Sequence, residues 1–217
     1  MWTYLLLLFF TAFHAVDAGV FKNAKLSIDI EQQTSPWCNG AGTSCDVSIS
    51  LGFVDASNAL VYALHTAAQK GSEHFRFERG DRYRFTHNVP DGDFQKVEEE
   101  CTKLAIKPSG AFDEAAYQGC FDVNLIYFRL YTWWGNFGSD WKPSGTYVTL
   151  SFTLPDGSVQ KRVFHFKAMD HGNANCDIGW VAGGGEHYMC LDQKSSGEYL
   201  PSGNGLTKGA YYPCHAG

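Results

Sequence analysis

The stretch Cys120–Pro143, CFDVNLIYFRLYTWWGNFGSDWKP, decides how the chain folds and where it meets other molecules. Along it Phe121, Val123, Leu125 and Tyr127 are apolar in one register and Ile126, Phe128 and Leu130 in the other. That is the pattern of a strand buried on both faces or crossed by a second sheet. The strand runs directly into a loop carrying Trp133, Trp134, Phe137 and Trp141. Large rings are costly to leave in water, so these are either folded back over the core or aimed at a ligand. Together with Lys142, which adds a positive charge at the loop's exit, they form the candidate ligand-binding set.

Outward from this strand the alternation continues. Leu26, Ile28 and Ile30 alternate with Ser27 and Asp29, and Val47, Ile49, Leu51 and Phe53 with Ser48, Ser50 and Gly52. Two half-buried strands follow, separated by the turn Asn39-Gly40-Ala41-Gly42-Thr43. Further strands are expected at Ala59–His65, Phe75–Phe77, Tyr83–Thr86, Tyr147–Leu154 and Val159–Phe166, the last two joined by a Pro155-Asp156-Gly157 turn. Phe94, Val97, Cys101 and Leu104 recur at helical spacing behind Asp93, which can cap, so one short helix is expected before Pro108. Residues 107–119 read as an insertion loop. Leu191–Gly217, rich in Gly, Ser and Lys, reads as a poorly ordered or surface-draped tail. Many short strands with one helix predict an all-β protein, a two-sheet antiparallel β-sandwich.

Residues 1–18 contain the apolar run Leu5–Phe10 and end in Val16-Asp17-Ala18, with small residues where a signal peptidase reads. The run is too short to span a bilayer of about 30 Å. The expected organisation is a signal peptide at 1–18, a sandwich domain at 19–190 and a tail at 191–217, in a secreted protein. The formal net charge of −6, without a block of like charge, excludes nucleic acid as a natural partner. All seven cysteines follow residue 18, where an oxidising compartment makes pairing the default. Cys38, Cys45, Cys101, Cys120, Cys176 and Cys190 are the disulfide candidates, with Cys38 and Cys45 the most local pair. The number is odd, so Cys214, near the end of the Gly-rich tail, is expected to be free or intermolecular.

Several of these segments also carry a family likeness. The Gly40-Ala41-Gly42-Thr43 turn, the Asp46–Phe53 strand, the Phe77–Phe85 run FERGDRYRF and the later Asp140-Trp141-Lys142-Pro143 occur in the order found in PLAT (polycystin, lipoxygenase, alpha-toxin) domains. The chain resembles that family over about Ala24 to Cys190. The Cys120 strand followed by D-W-K-P is similar to the stand-alone plant embryo-specific branch, in which a C-x-x-x-L-Y strand precedes G-W-K-P. That branch has Cys where this chain has Gly80, its 91–119 loop is shorter, and it has no counterpart of 191–217, so its disulfides do not transfer. The resemblance implies a two-sheet sandwich that binds lipid surfaces or other proteins and performs no chemistry.

The residues that could carry chemistry are weaker than this. His187 with Cys190, and His165 with His171 and Cys176, suggest metal, but oxidised cysteines do not bind zinc and no C-x-x-C occurs. Asp91-Gly92-Asp93 with Asp81 could donate oxygens to calcium, although the alternating ligands and distal Glu of a calcium loop are absent. No G-x-S-x-G elbow exists, and Glu186 beside His187 is the one acid–base pair near glycine-rich backbone. The expectation is therefore a non-enzymatic protein with no cofactor, no metal and no catalytic residue.

The aromatic loop remains. Its rings could enter a lipid headgroup layer, stack on sugar faces as in a carbohydrate-binding, lectin-like module, or anchor a protein partner. Lys142, Arg129, Arg76, Arg79, Arg82 and Arg84 would favour anionic lipid if gathered at the loop's end of the sandwich, whereas a sugar site would place Asp, Asn and Gln beside the rings.

Overall fold

Alternation along Lys25–Thr34 (β1) buries Leu26, Ile28, Ile30, Gln32 and Thr34 on one side and leaves Ser27, Asp29, Glu31 and Gln33 on the other. The structure is a computed structural model describing residues 19–71, 77–131, 140–167, 180–191, 196–198 and 205–215. The remaining elements are β2 (Asp46–Val54), β3 (Leu60–His65), β4 (Arg82–Asn88), α1 (Asp91–Ala105), α2 (Glu114–Cys120), β5 (Leu125–Tyr131), β6 (Pro143–Thr153), β7 (Val159–Lys167), β8 (Glu186–Cys190) and β9 (Ser196–Glu198). They build two sheets, ordered β4-β1-β6-β7 and β3-β2-β5-β8-β9, with every pairing antiparallel. This is the expected two-sheet β-sandwich.

The core lies between the sheets. Ile28, Ile30, Val148, Leu150, Phe152 and Phe166 face Val47, Ile49, Leu51, Ile126, Phe128 and Leu130 in one continuous cluster. One end is closed by α1, through Phe94, Val97, Cys101 and Ala105, and by a ring cluster in which Phe21 sits 4.3 Å from Phe152 and 4.8 Å from Phe121. Burying rings of this size is the main stabilisation that end of the sandwich receives.

Two expectations about this region change. The segment read as an insertion loop contains a second helix, α2, whose N-cap Asp113 accepts a hydrogen bond from the Ala116 N–H at 3.1 Å. Its seven residues span too few turns to show a period, and it is held instead by the Cys101–Cys120 disulfide to α1 and by buried Tyr117. Helix α1 begins after Pro90, with Asp91 and Asp93 in its first turn near the positive end of the helix dipole rather than at the cap. Of the Phe75–Phe77 strand, Phe77 lies in a turn, and Phe75 and Arg76 fall outside the described residues.

Strand β5 is buried on both faces, as its double register predicts, and the second cover is the C-terminal segment. Leu206, Tyr212 and Cys214 pack with Val54, Leu60, Leu125, Tyr127 and Cys190 into a separate apolar cluster on the outer face of the five-stranded sheet. Backbone hydrogen bonds seat the segment on β3, from Leu60 N–H to Ala210 O at 2.9 Å and from Gly209 N–H to Leu60 O at 2.8 Å. Cys190–Cys214 staples it in place. Cys214 is therefore neither free nor intermolecular, and 205–215 forms a second small core rather than a loosely draped tail. Cys38 is disulfide-bonded, but not to Cys45, a thiol buried in the main core. Cys176 and the 1–18 segment lie outside the described residues.

Candidate functional site

The antiparallel registers bring several chain ends to one end of the sandwich. Asp46 at the start of β2 pairs with Tyr131 at the close of β5, and Arg129 pairs with Glu186 at the start of β8. On the other sheet Thr34 at the end of β1 pairs with Pro143, and Gln33 with Arg82 at the start of β4. Segments 35–45, 77–81, 140–142 and 180–185 consequently meet here. They are knit by backbone bonds: Ser35 N–H to Lys142 O at 2.9 Å, Lys142 N–H to Ala41 O at 3.0 Å, Thr43 N–H to Phe77 O at 3.0 Å, and a reciprocal Trp141–Val181 pair at 2.9 and 2.7 Å. The close approach explains the glycine turn, since a Cβ on Gly42 would stand 2.9 Å from the Glu78 Cα.

The predicted ligand-binding residues divide. Trp133, Trp134 and Phe137 lie outside the described residues, between Tyr131, which β5 delivers to this end, and Asp140, which leaves from it. Trp141 does not belong to a contact surface. It is 0 % exposed, its indole N–H donates to Thr34 Oγ1 at 3.0 Å, and its ring meets Phe77 and Phe128 edge-on, each at 5.4 Å. Lys142 is likewise buried, 1 % exposed, with its ammonium 6.0 Å from the centre of the Trp180 ring. These two residues build the floor of the loop end from inside.

The structure supplies a residue that the sequence reading passed over. Trp37, between Pro36 and Cys38, is 61 % exposed. Its turn is braced by the Arg79 side chain, which donates through Nε to Pro36 O and through Nη1 to Asn39 Oδ1, both at 2.8 Å. Exposed Tyr131 lies under Arg129, whose guanidinium carbon is 5.0 Å from the ring centre and whose Nε is 3.2 Å from Glu186 Oε1. Arg79 and Arg129 share this end, while Arg82 and Arg84 both reach Glu31 on the sheet face. With Lys142 buried and Arg76 outside the described residues, the fold places two of the six basic residues considered from sequence at the surface of the loop end. The signal for Trp37 was a tryptophan inside a Pro- and Gly-rich turn, where no strand face is available to bury it.

Of the groups considered for chemistry, His171 and Cys176 fall outside the described residues. Asp81 and Asp91 lie beyond opposite ends of the seven-residue β4, roughly 23 Å of strand apart at about 3.3 Å per residue, so they cannot share a cation. Asp93 is instead paired with Lys96 at 2.8 Å, which holds its carboxyl below the usual range. No three His, Cys, Asp or Glu side chains converge among the described residues. Glu186 and His187 are neighbours on β8 and point to opposite sheet faces. His187 faces the core at 5 % exposure; neither of its ring nitrogens has a hydrogen-bond partner among the described residues, and burial pushes its pKa down to about 4. Among the described residues Ser50 Oγ lies 2.9 Å from His65 Nδ1, with no described carboxylate bonded to the other nitrogen.

A scan of the sequence against protein-family models finds no match. A search of the curated proteins finds none either. Among solved structures the chain is similar to a deletion variant of a LOX enzyme (TM-score 0.37, 15 % identity, 75 % of this chain and 16 % of that one). It is also similar to such a variant in complex with arachidonate (TM-score 0.36, 14 % identity, 75 % and 16 %) and to the alpha toxin of Clostridium absonum (TM-score 0.39, 16 % identity, 76 % and 31 %). The chain spans less than a third of the length of each.

Proposed function

We propose that this chain is a secreted, non-enzymatic binding module that engages lipid or membrane surfaces, or a lipid-associated protein, through the loop end of the sandwich. Exposed Trp37 is the observation that carries the reading: an indole held in water in the turn that Arg79 braces through Pro36 O, on the same end at which β5 closes with Tyr131. An amphipathic ring in a turn braced by a guanidinium group suits the headgroup layer, where the ring is partly desolvated and the cation meets phosphate. The two disulfides among the described residues fit an oxidising, extracellular setting, and no described helix is long and apolar enough to cross a membrane. The PLAT motifs support the same class, with the nearer likeness to the embryo-specific branch resting on the Cys120 strand and Asp140–Pro143.

Sedimentation with phosphatidylcholine vesicles, with and without phosphatidylserine, tests it. Each large ring withdrawn from water is worth roughly 1.5–3 kcal/mol, so Trp37→Ala, and Trp133→Ala with Trp134→Ala, should each weaken partitioning about tenfold or more. Retained partitioning in both variants, or none in the unmodified protein, refutes the proposal.

A further inference from the structure

On a different face, the outward side of the β4-β1-β6-β7 sheet, lies a groove of about 390 Å³ lined by Asp29, Glu31, Arg84, Thr86, Tyr147 and Thr149. Strand β1 is its floor, because Glu31 pairs with Arg84 on one side and Tyr147 on the other, and Asp29 with Thr86 and Thr149. Tyr147 is 38 % exposed, and its ring lies parallel to that of His165 on β7, with centroids 3.9 Å and planes 9° apart. His165 covers the ring on the β7 side, so the other side borders the groove. The polar groups opposite are held in place. Thr86 Oγ1 donates to Asp29 Oδ1 at 2.5 Å, Arg84 Nε donates to Glu31 Oε2 at 2.6 Å, and Gln33 Nε2 donates to Glu31 Oε1 at 3.2 Å.

A fixed ring wall facing planar, pre-oriented hydrogen-bonding groups matches the two sides of a pyranose. The sugar has an apolar C–H face that packs on a ring, and a rim of hydroxyls that both donate and accept. The Asp29 and Glu31 carboxylates accept from such hydroxyls, the Arg84 guanidinium donates to them, and Thr86 and Thr149 do either. Charge selects among sugars. Within the lining the Arg84 guanidinium is already paired with Glu31, which Arg82 also approaches at 4.0 Å, and Asp29 is bonded to the Thr86 hydroxyl rather than to a cation, so uronates, sulfated sugars and phosphate headgroups meet repulsion from the Asp29 carboxylate. The groove's size falls within the range of about 300–1,000 Å³ usual for ligand sites.

We propose that this groove binds a neutral glycan, with Tyr147 as the stacking wall and Asp29, Glu31 and Arg84 as the hydroxyl-binding groups. It is separate from the loop end, so its failure and that of the lipid reading are distinguishable. Calorimetric titration with cellohexaose, mannohexaose, xylohexaose, laminarihexaose and chitohexaose, and with polygalacturonate as the anionic control, tests it. At least one neutral hexasaccharide should bind and polygalacturonate should not. Tyr147→Ala should weaken the binding about tenfold, the value of one lost ring contact. Thr86→Tyr, which fills the groove from an exposed position, should abolish it, and both variants should keep the wild-type thermal midpoint and vesicle partitioning. Absence of binding to every neutral hexasaccharide overturns the proposal. So does affinity that survives both substitutions, or Tyr147-dependent capture of polygalacturonate.

Discussion

Acidification should destabilise this protein most through His187, the most deeply buried of the histidines whose pKa burial lowers. The unfolded chain carries this imidazole with an ordinary value of about 6.5, whereas burial among Phe128, Met189 and the rest of the core lowers the folded value to about 4. Because the folded value is the lower one, the unfolded state takes up the proton first. The contribution is complete above pH 6.5 and is lost as pH falls toward 4. Linkage between those two values gives a loss of about 2 kcal/mol from pH 7 to pH 5 and about 3 kcal/mol by pH 4, a large share of the stability of an ordinary domain. The assay is urea denaturation at pH 7, 5 and 4 of the wild type and of His187→Leu. Surface carboxylates titrate in both proteins, so the difference between the two stabilities isolates His187. That difference should move in favour of the leucine variant by about 2 kcal/mol from pH 7 to pH 5. A difference that stays constant across the series would show that the imidazole finds a proton acceptor when charged, and the reasoning fails.

Trp141→Ala should cost about 3–5 kcal/mol, as for other large buried rings, and lower the thermal midpoint, whereas the exposed Trp37→Ala should leave it within a few tenths of a kcal/mol of wild type. Replacing Cys190 and Cys214 together by Ser opens a loop of 24 residues and should cost about 3–4 kcal/mol by the chain-entropy estimate. The same variant should become sensitive to proteolysis between 205 and 215. Unchanged cleavage there would mean that the Leu206 and Tyr212 contacts hold the segment without the staple.

Most strands were legible because one face is buried, which ties the side-chain period of two to the sequence, as in β1; β2 kept the sequence alternation although its small Ser48, Ser50 and Gly52 are buried as well. The double register of β5 was legible too, but its cause was not. Leu125 and Tyr127 are apolar because a segment about 80 residues downstream covers them; Leu206 and Tyr212 stand out in that Gly-, Ser- and Lys-rich segment as residues able to pin it, but nothing local says that β5 is what they cover. Helix α2 escaped for a similar reason, since its stability comes from a disulfide and from Tyr117 rather than from its own seven residues. The site was read half correctly. A tryptophan's fate depends on neighbours from other strands: Trp141 finds Thr34, Phe77 and Phe128, whereas Trp37 is left in water. Local sequence distinguishes neither outcome. The sheet-face groove was invisible because Asp29, Arg84 and Tyr147 become neighbours only through register.

The position of β1 at the centre of its sheet has a consequence for the timing of synthesis. Its partners are made much later, since Ser27 pairs with Asn88 and Lys25 with Thr153. At about 5–20 residues per second, β1 leaves the ribosome roughly 6–25 s before the strand that completes its second edge. During that interval strands of the facing sheet are made and can cover Leu26, Ile28 and Ile30, but the β6 edge of β1 keeps an open row of N–H and C=O groups. The first strand of the sandwich to be made waits longer for its second neighbour than any other strand of its sheet, and until β6 arrives one edge is open to any other strand edge within reach, including the β1 of a neighbouring nascent chain.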